Sequence, residues 1–233
     1  MIRLINLYSN NSKLAKVHPI EKLLLIIISL VGCSYTKNIY IIILNIFLFA
    51  VLNIIAKNPF VIVKKFIGVA LLFTVTTSIT MLWQGQSRDL ILLVVLRGIN
   101  GALTLSFLAL TTPINHIVAV MSRFEYTKDI ADIINQMERF IMLLEDDVSL
   151  TFKAIRCRAG FGSFKKSIKD YGMGFGVIFK NLIFRWKEIN TSLKNRCYRG
   201  KHNYSFKFKF NKIILSLVVV YLVLLVGFIA IYK

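Results

Sequence analysis

Long apolar runs with almost no charge constrain this chain more than anything else in it. Residues 39–56, 66–83 and 213–232 contain no Lys, Arg, Asp or Glu, and residues 90–110 contain only Arg97. Roughly 20 apolar residues in a helix cross the hydrocarbon core of a bilayer. Each run is therefore read as a membrane helix. Residues 23–31, continuing to Tyr35, form a shorter run that needs Ile20 or residues beyond Ser34 to span, and Pro19 suits its first turn. The expected fold is an all-α integral membrane protein with about five transmembrane helices and a long cytoplasmic insert of amphipathic helices. Residues 1–112 would be an N-terminal membrane domain with helices at about 20–36, 39–56, 66–83 and 90–112. Residues 113–212 would be the cytoplasmic domain, and residues 213–233 a last transmembrane helix.

Charge separates from apolarity along the chain. The sequence is 56% hydrophobic with mean hydropathy +0.66, yet its net charge is +19. A nucleic-acid-binding domain spreads Lys and Arg over a soluble fold and does not need bilayer-length apolar runs, so no nucleic-acid partner is expected. Three cysteines, Cys33, Cys157 and Cys197, give neither a CxxC pair nor a disulfide framework, and suit a reducing compartment. No cleavable signal peptide is evident before the first run. Basic residues alternate between loops: Arg3, Lys13, Lys16 and Lys22 first, then Lys37 alone, then Lys57, Lys64 and Lys65, then Arg88 alone. Most of the remainder lie in the insert. Under the positive-inside rule this places the N-terminus and residues 113–212 in the cytoplasm and the C-terminus outside, in a multi-pass plasma-membrane protein. Arg97 and Asn100 are expensive in lipid. Arg97 either snorkels to the interface or faces another helix or subunit.

The insert carries two helical periodicities. Ile130, Ile133, Ile134, Met137, Phe140, Ile141, Leu144, Val148, Phe152 and Ile155 make one apolar stripe. Its acids fall early and its bases late, as the helix dipole favours, and Gly160 and Gly162 are expected to stop it. A second stripe runs Phe175, Ile178, Phe179, Leu182, Ile183, Trp186, Ile189 and Leu193. Each helix closes on an arginine motif, Arg156-Cys157-Arg158-Ala159-Gly160-Phe161 and Asn195-Arg196-Cys197-Tyr198-Arg199-Gly200. Basic residues at a helix C-terminus are often plain caps, and an amphipathic helix can rest on anionic lipid. The same device at the ends of two long helices favours a docking role.

No catalytic chemistry is legible. There is no GxxxxGK[ST] loop for ATP and no GxSxG nucleophile. His18, His116 and His202 are scattered, with no ligand set at metal spacing. Glu145-Asp146-Asp147 reads as a solvated helix face. The chain is expected to be no enzyme, with no catalytic residue, metal site or cofactor.

Several short stretches together resemble the transmembrane T component of energy-coupling factor (ECF) transporters, within it the CbiQ-type proteins of cobalt uptake. These are His18-Pro19-Ile20-Glu21-Lys22-Leu23, Leu96-Arg97, Leu108-Ala109-Leu110-Thr111-Thr112-Pro113, Glu138-Arg139-Phe140-Ile141 through Leu144-Glu145, and the two arginine motifs. The resemblance covers nearly the whole chain and rests on the order of the motifs. It implies a non-catalytic subunit of an ABC importer. Its partners would be two cytoplasmic ATP-binding ATPase subunits, a small membrane substrate-binding subunit and the lipid bilayer. Arg158 with Ala159 and Gly160, and Arg196 with Cys197, would dock on the ATPases. Arg97 would serve the membrane domain as a structural or interface residue. The sequence departs from the family in carrying Cys197 where a glycine is usual and Ala159 after Arg158. Cobalt is the implied cargo, with nickel or a vitamin as alternatives. A stand-alone membrane transporter would call for midspan polar residues and repeats. A lipid-binding regulatory protein would leave the paired motifs unexplained.

Overall fold

The computed structural model describes residues 2–15, 17–36, 38–197 and the single positions 216 and 221. The described residues are helical apart from turns, with no strand among them. The expected helix at 213–233 lies outside the described residues except for those two positions, as do Tyr198, Arg199 and Gly200 of the second motif. The chain divides into two units, Met1–Val120 with Phe206–Lys233, and Met121–Ser205.

The first unit contains α1 (Ile2–Asn11), α2 (Pro19–Tyr35), α3 (Ile39–Ile55), α4 (Phe60–Trp83), α5 (Arg88–Thr111) and α6 (Ile114–Met121). α4 and α5 are long and apolar enough to cross a membrane, and α3 is a shorter apolar helix. Helix α4 starts at Phe60, not at 66, because Pro59 caps it and Ile62 and Val63 are buried, so Lys64 and Lys65 lie inside the helix. The N-terminal stretch, to which the sequence assigned no element, forms α1. Its signal was an apolar spacing at Leu4, Ile5 and Tyr8, too short to stand out.

Helix α5 is the hub, packing against α1, α2, α3 and α4. Its inward face mixes Leu103, Phe107 and Leu110 with Asn100, Thr104, Ser106 and Thr111, all buried. The hydroxyls cost little there because each donates to a backbone carbonyl of its own helix, as Thr104 does to Asn100 at 2.7 Å and Thr111 to Phe107 at 2.6 Å. Leu25, Ile26, Phe49, Ile62 and Val63 close around α5. Phe49 and Phe107 meet edge to face, with ring centroids 6.1 Å apart. α4 approaches α5 closely because Gly98 has no side chain, and a Cβ there would collide with the Thr74 methyl.

The second unit is a helical hairpin, α7 (Lys128–Cys157) and α8 (Phe164–Asn195), preceded by a 3-10 turn at Glu125–Thr127. The two helices run antiparallel: Phe152 meets Tyr171 and Phe175, and further along Asp147 accepts from Arg185 at 2.8 Å. Gly174 sits against Phe152 and Ile155, so a Cβ there would crowd both side chains.

The hairpin covers the apolar stripes only in part: Ile178 is buried, and Phe152, Ile155 and Leu182 are half-buried. α7 buries Ala131, Asp132, Glu138 and Asp147, and α8 buries Asp170, Gly174 and Ile178. Ile133 and Met137 of the first stripe remain more than half exposed, as do Phe175, Phe179 and Trp186 of the second. Two helices in contact cover only a narrow seam of each. Here Gly174 and the Asp147–Arg185 pair share the seam with Phe152 and Ile155, and part of each apolar face remains exposed.

Candidate functional site

Both motif arginines occupy the same structural position. Arg158 is the C-cap of α7 and Arg196 the C-cap of α8. After each, the backbone turns left-handed, at Ala159 (φ 55) and Cys197 (φ 52). A left-handed residue after the cap lets the next N–H groups fold back on the last carbonyls. At α7 the Ala159 N–H donates to Arg156 O at 3.1 Å and the Gly160 N–H to Ile155 O at 3.0 Å. At α8 the Cys197 N–H donates to Lys194 O at 3.0 Å. Glycine is the usual residue at such a position because it has no Cβ to clash.

Gly160 does not end the helix by adopting a left-handed conformation, as the sequence led one to expect. It is needed for space: a Cβ on it would lie 2.7 Å from the Ile155 carbonyl oxygen. Gly162 has open space around it. The rest of the turn is tied down. The Phe161 N–H donates to the Asp170 carboxylate at 2.9 Å, and the Phe161 ring packs 4.8 Å from that of Tyr171. The Lys166 ammonium donates to Ala159 O at 2.9 Å. Arg158 is thus held at the tip of a rigid turn, with its own side chain exposed. Neither Arg158 nor Arg196 meets an acidic partner among the described residues, and Cys157 and Cys197 are exposed free thiols beside them.

The hairpin puts the two arginines at opposite ends. A 32-residue helix such as α8 is roughly 48 Å long at 1.5 Å per residue. The motifs are therefore not brought together into one site. They form two like sites, separated by the length of the helix.

In the first unit the structure does bring distant motifs together. Lys22, buried in the first turn of α2, donates to the carbonyl of Thr111 at the end of α5, at 2.7 Å. Arg97, half-buried on α5, donates to the carbonyl of Thr36 at the end of α2, at 3.0 Å. The intervals match, 22 to 36 on one helix and 97 to 111 on the other, so α2 and α5 run antiparallel with a cation at the C-terminal end of each. Those carbonyls lack intrahelical partners and carry the negative end of the helix dipole. Arg97 therefore faces another helix. The role of Lys22 was missed in the sequence, where it counted only as a flanking charge. Its place one turn into an apolar run, where a solvated lysine would be unusual, was the available signal.

A second buried polar group lies deeper. Asn45 donates to Ser29 Oγ at 2.7 Å and to Cys33 Sγ at 2.9 Å, and accepts from Tyr221 Oη at 2.9 Å. No cluster of three or more His, Cys, Asp or Glu that could hold a metal occurs among the described residues.

Comparison with known proteins decides the family. Residues 10–206 match the model of the CbiQ family, described as cobalt transport protein. The chain belongs to that family. One relative, from Methanocorpusculum labreanum, is named as a fused cobalt transport protein, CbiMQ, and is 27% identical over 114 residues. That alignment takes in 49% of this chain but 19% of the relative, so the chain spans less than a fifth of that protein's length. Another, an uncharacterized protein of Methanocaldococcus jannaschii, is 24% identical over 214 residues, covering 82% of this chain and 79% of its own length. The CbiQ-type resemblance read from the short motifs is thereby borne out. The chain's described residues are helical apart from turns, with two helices long and apolar enough to cross a membrane, in keeping with a transport family.

Proposed function

We propose that this CbiQ-family chain is the non-catalytic T subunit of an ECF-type importer. It couples ATP hydrolysis by partner ATPases to cobalt uptake through a separate substrate-binding membrane subunit. The observation that carries this is the matched pair of exposed C-cap arginines, Arg158 and Arg196, at opposite ends of one long hairpin. Two like docking points about 48 Å apart suit two copies of an ATPase. A guanidinium is always charged and pairs bidentately with a carboxylate in a groove. The structured turn around Arg158 lets a push on the arginine move the whole of α7, since Gly160, Phe161 and Lys166 bind it back to the hairpin. The fused relative's name joins CbiM to CbiQ in one chain, which favours a membrane partner for this one.

In this reading residues 1–112 supply four membrane spans and residues 213–233 a fifth. Residues 1–112 and 213–233 are the membrane parts and residues 113–212 the coupling domain. The N-terminus and coupling domain lie in the cytoplasm and the C-terminus outside the plasma membrane. Arg97 holds α2 to α5, and Cys197 takes the left-handed turn with a strain that glycine would not carry.

Co-purification from detergent with the ATPase subunits tests the proposal, comparing wild type with the Arg158→Glu/Arg196→Glu double variant. Wild type retains the ATPases, and the double variant loses them while remaining folded, because neither guanidinium holds the hairpin together. Equal retention by both proteins would remove the docking role from these arginines.

A further inference from the structure

Helix α8 carries two rows that the docking role does not use. Phe164, Ile168, Phe175, Phe179 and Trp186 form an apolar row that is 84%, 61%, 60%, 65% and 55% exposed, respectively. At 3.6 residues per turn they fall within about 60° of one another. Beside them, Lys165, Lys169, Lys180, Lys187 and Lys194 form a second row about 100° further round the helix, and all five are exposed. None of the five is paired with an acidic side chain among the described residues. The two acids of α8 lie away from both rows: Asp170 is buried on the Phe161 N–H, and Glu188 falls five turns along the same line. Asp129 and Asp132 of α7 line, together with Trp186 of α8, a groove of 460 Å³.

We propose that this face of α8 lies on the surface of an anionic bilayer. The aromatic row enters the boundary between headgroups and acyl chains, and the lysine row meets the lipid phosphates. A straight apolar line of about 33 Å, from residue 164 to 186, bordered along its length by unpaired lysines, matches a flat anionic surface. Phenylalanine and tryptophan on one flank with lysine on the next is the composition of helices that lie in the interface plane. The long lysine stems can also bend to keep their ammonium groups among the headgroups. The proposal rests on the membrane character of the chain and not on the arginine docking, and either can fail without the other.

The test uses the full chain with Trp83→Phe, which leaves Trp186 as the sole tryptophan. The protein is placed in nanodiscs of phosphatidylcholine alone, or with phosphatidylglycerol, each with and without brominated acyl chains. In the anionic discs bromine quenches Trp186 strongly, at a depth just below the headgroups, and in the neutral discs it quenches weakly. Each lysine near an anionic surface contributes about fivefold to the bound population. Lys169→Gln/Lys180→Gln/Lys187→Gln together should therefore lower the bound-to-free ratio by about 100-fold. The lipid comparison on the unsubstituted lysines stands even where the triple variant fails to fold. Absence of quenching in anionic discs overturns the proposal, as does equal quenching in neutral discs. So does a shielding of Trp186 that appears only on raising protein concentration or adding partner subunits, which would make the occupant a protein.

Discussion

Three substitutions in the turn after α7 should give three different answers. Gly160→Ala would put a Cβ 2.5 Å from Ile155 Cγ2 and 2.7 Å from Ile155 O. The side chain could rotate, but the carbonyl cannot retreat freely. It accepts from the Arg158 N–H at 3.1 Å and from the Gly160 N–H at 3.0 Å. Weakening both bonds costs about 1 kcal/mol each, so the turn should lose about 2 kcal/mol. That corresponds to an open population about 30-fold larger. Gly162→Ala meets nothing within 4 Å and needs no left-handed backbone. It should be neutral or gain about 0.5 kcal/mol through a less flexible unfolded chain. Ala159→Gly relieves a φ of 55. Release of about 1 kcal/mol of left-handed strain, less the added chain entropy, leaves a net gain of about 0.5 kcal/mol. Trypsin cleavage after Arg156 and Arg158 in detergent reads the opening directly, because fast closure makes the rate follow the open population. The expected order of cleavage is Gly160→Ala fastest, then wild type, then Ala159→Gly. Equal cleavage of Gly160→Ala and Gly162→Ala would refute the steric argument, and with it the account of how Arg158 is held.

Phe107→Ala empties the space beside Phe49 at the centre of the first unit, where Phe107 is 4% exposed; thermal unfolding in detergent should show a loss of about 3 kcal/mol, whereas Phe73→Ala, on the exposed side of α4, should cost far less. His116 on α6 has its pKa lowered from 6.5 chiefly by burial, against an opposing backbone hydrogen bond with Ala15, with a lesser lowering from the charge of Lys22. Above pH 6.5 the ring is neutral whether folded or unfolded, so it adds no pH dependence. As pH falls through 6.5 and then through the lowered folded value, the unfolded chain takes up the proton first and stability drops. His116→Asn should flatten that part of the stability curve, and an unchanged slope would place its origin elsewhere.

Much of the helix layout was legible because hydrocarbon allows few alternatives. A long apolar run with few charges favours a helix, and α3, α5 and the start of α2 fall within a residue or two of the expected bounds. The start of α4 was not legible, since Lys64 and Lys65 read as a boundary until Pro59 was seen to cap the helix. Which face of α5 turns inward was also hidden in a run that is apolar all round. Asn100, Thr104, Ser106 and Thr111 were the only marks of that face, and their hydroxyls and amide do not announce a direction until neighbours pack on them. The arginine motifs could be found by spacing. The left-handed residues after them could not, because Ala159 and Cys197 are not residues that favour that backbone.

The sequence alone determined that the chain has membrane helices, a basic amphipathic insert and two matched arginine ends. These follow from local composition and period, which act over one or two helical turns. Only the tertiary structure decided that Lys22 and Arg97 pin α2 and α5 end to end. It also decided that α7 and α8 meet at Phe152, Gly174 and the Asp147–Arg185 pair and leave part of each apolar stripe exposed. A stripe records that a helix has an apolar face. What covers that face depends on where a glycine or an ion pair lets another helix come close, and that choice is made between segments far apart in the chain.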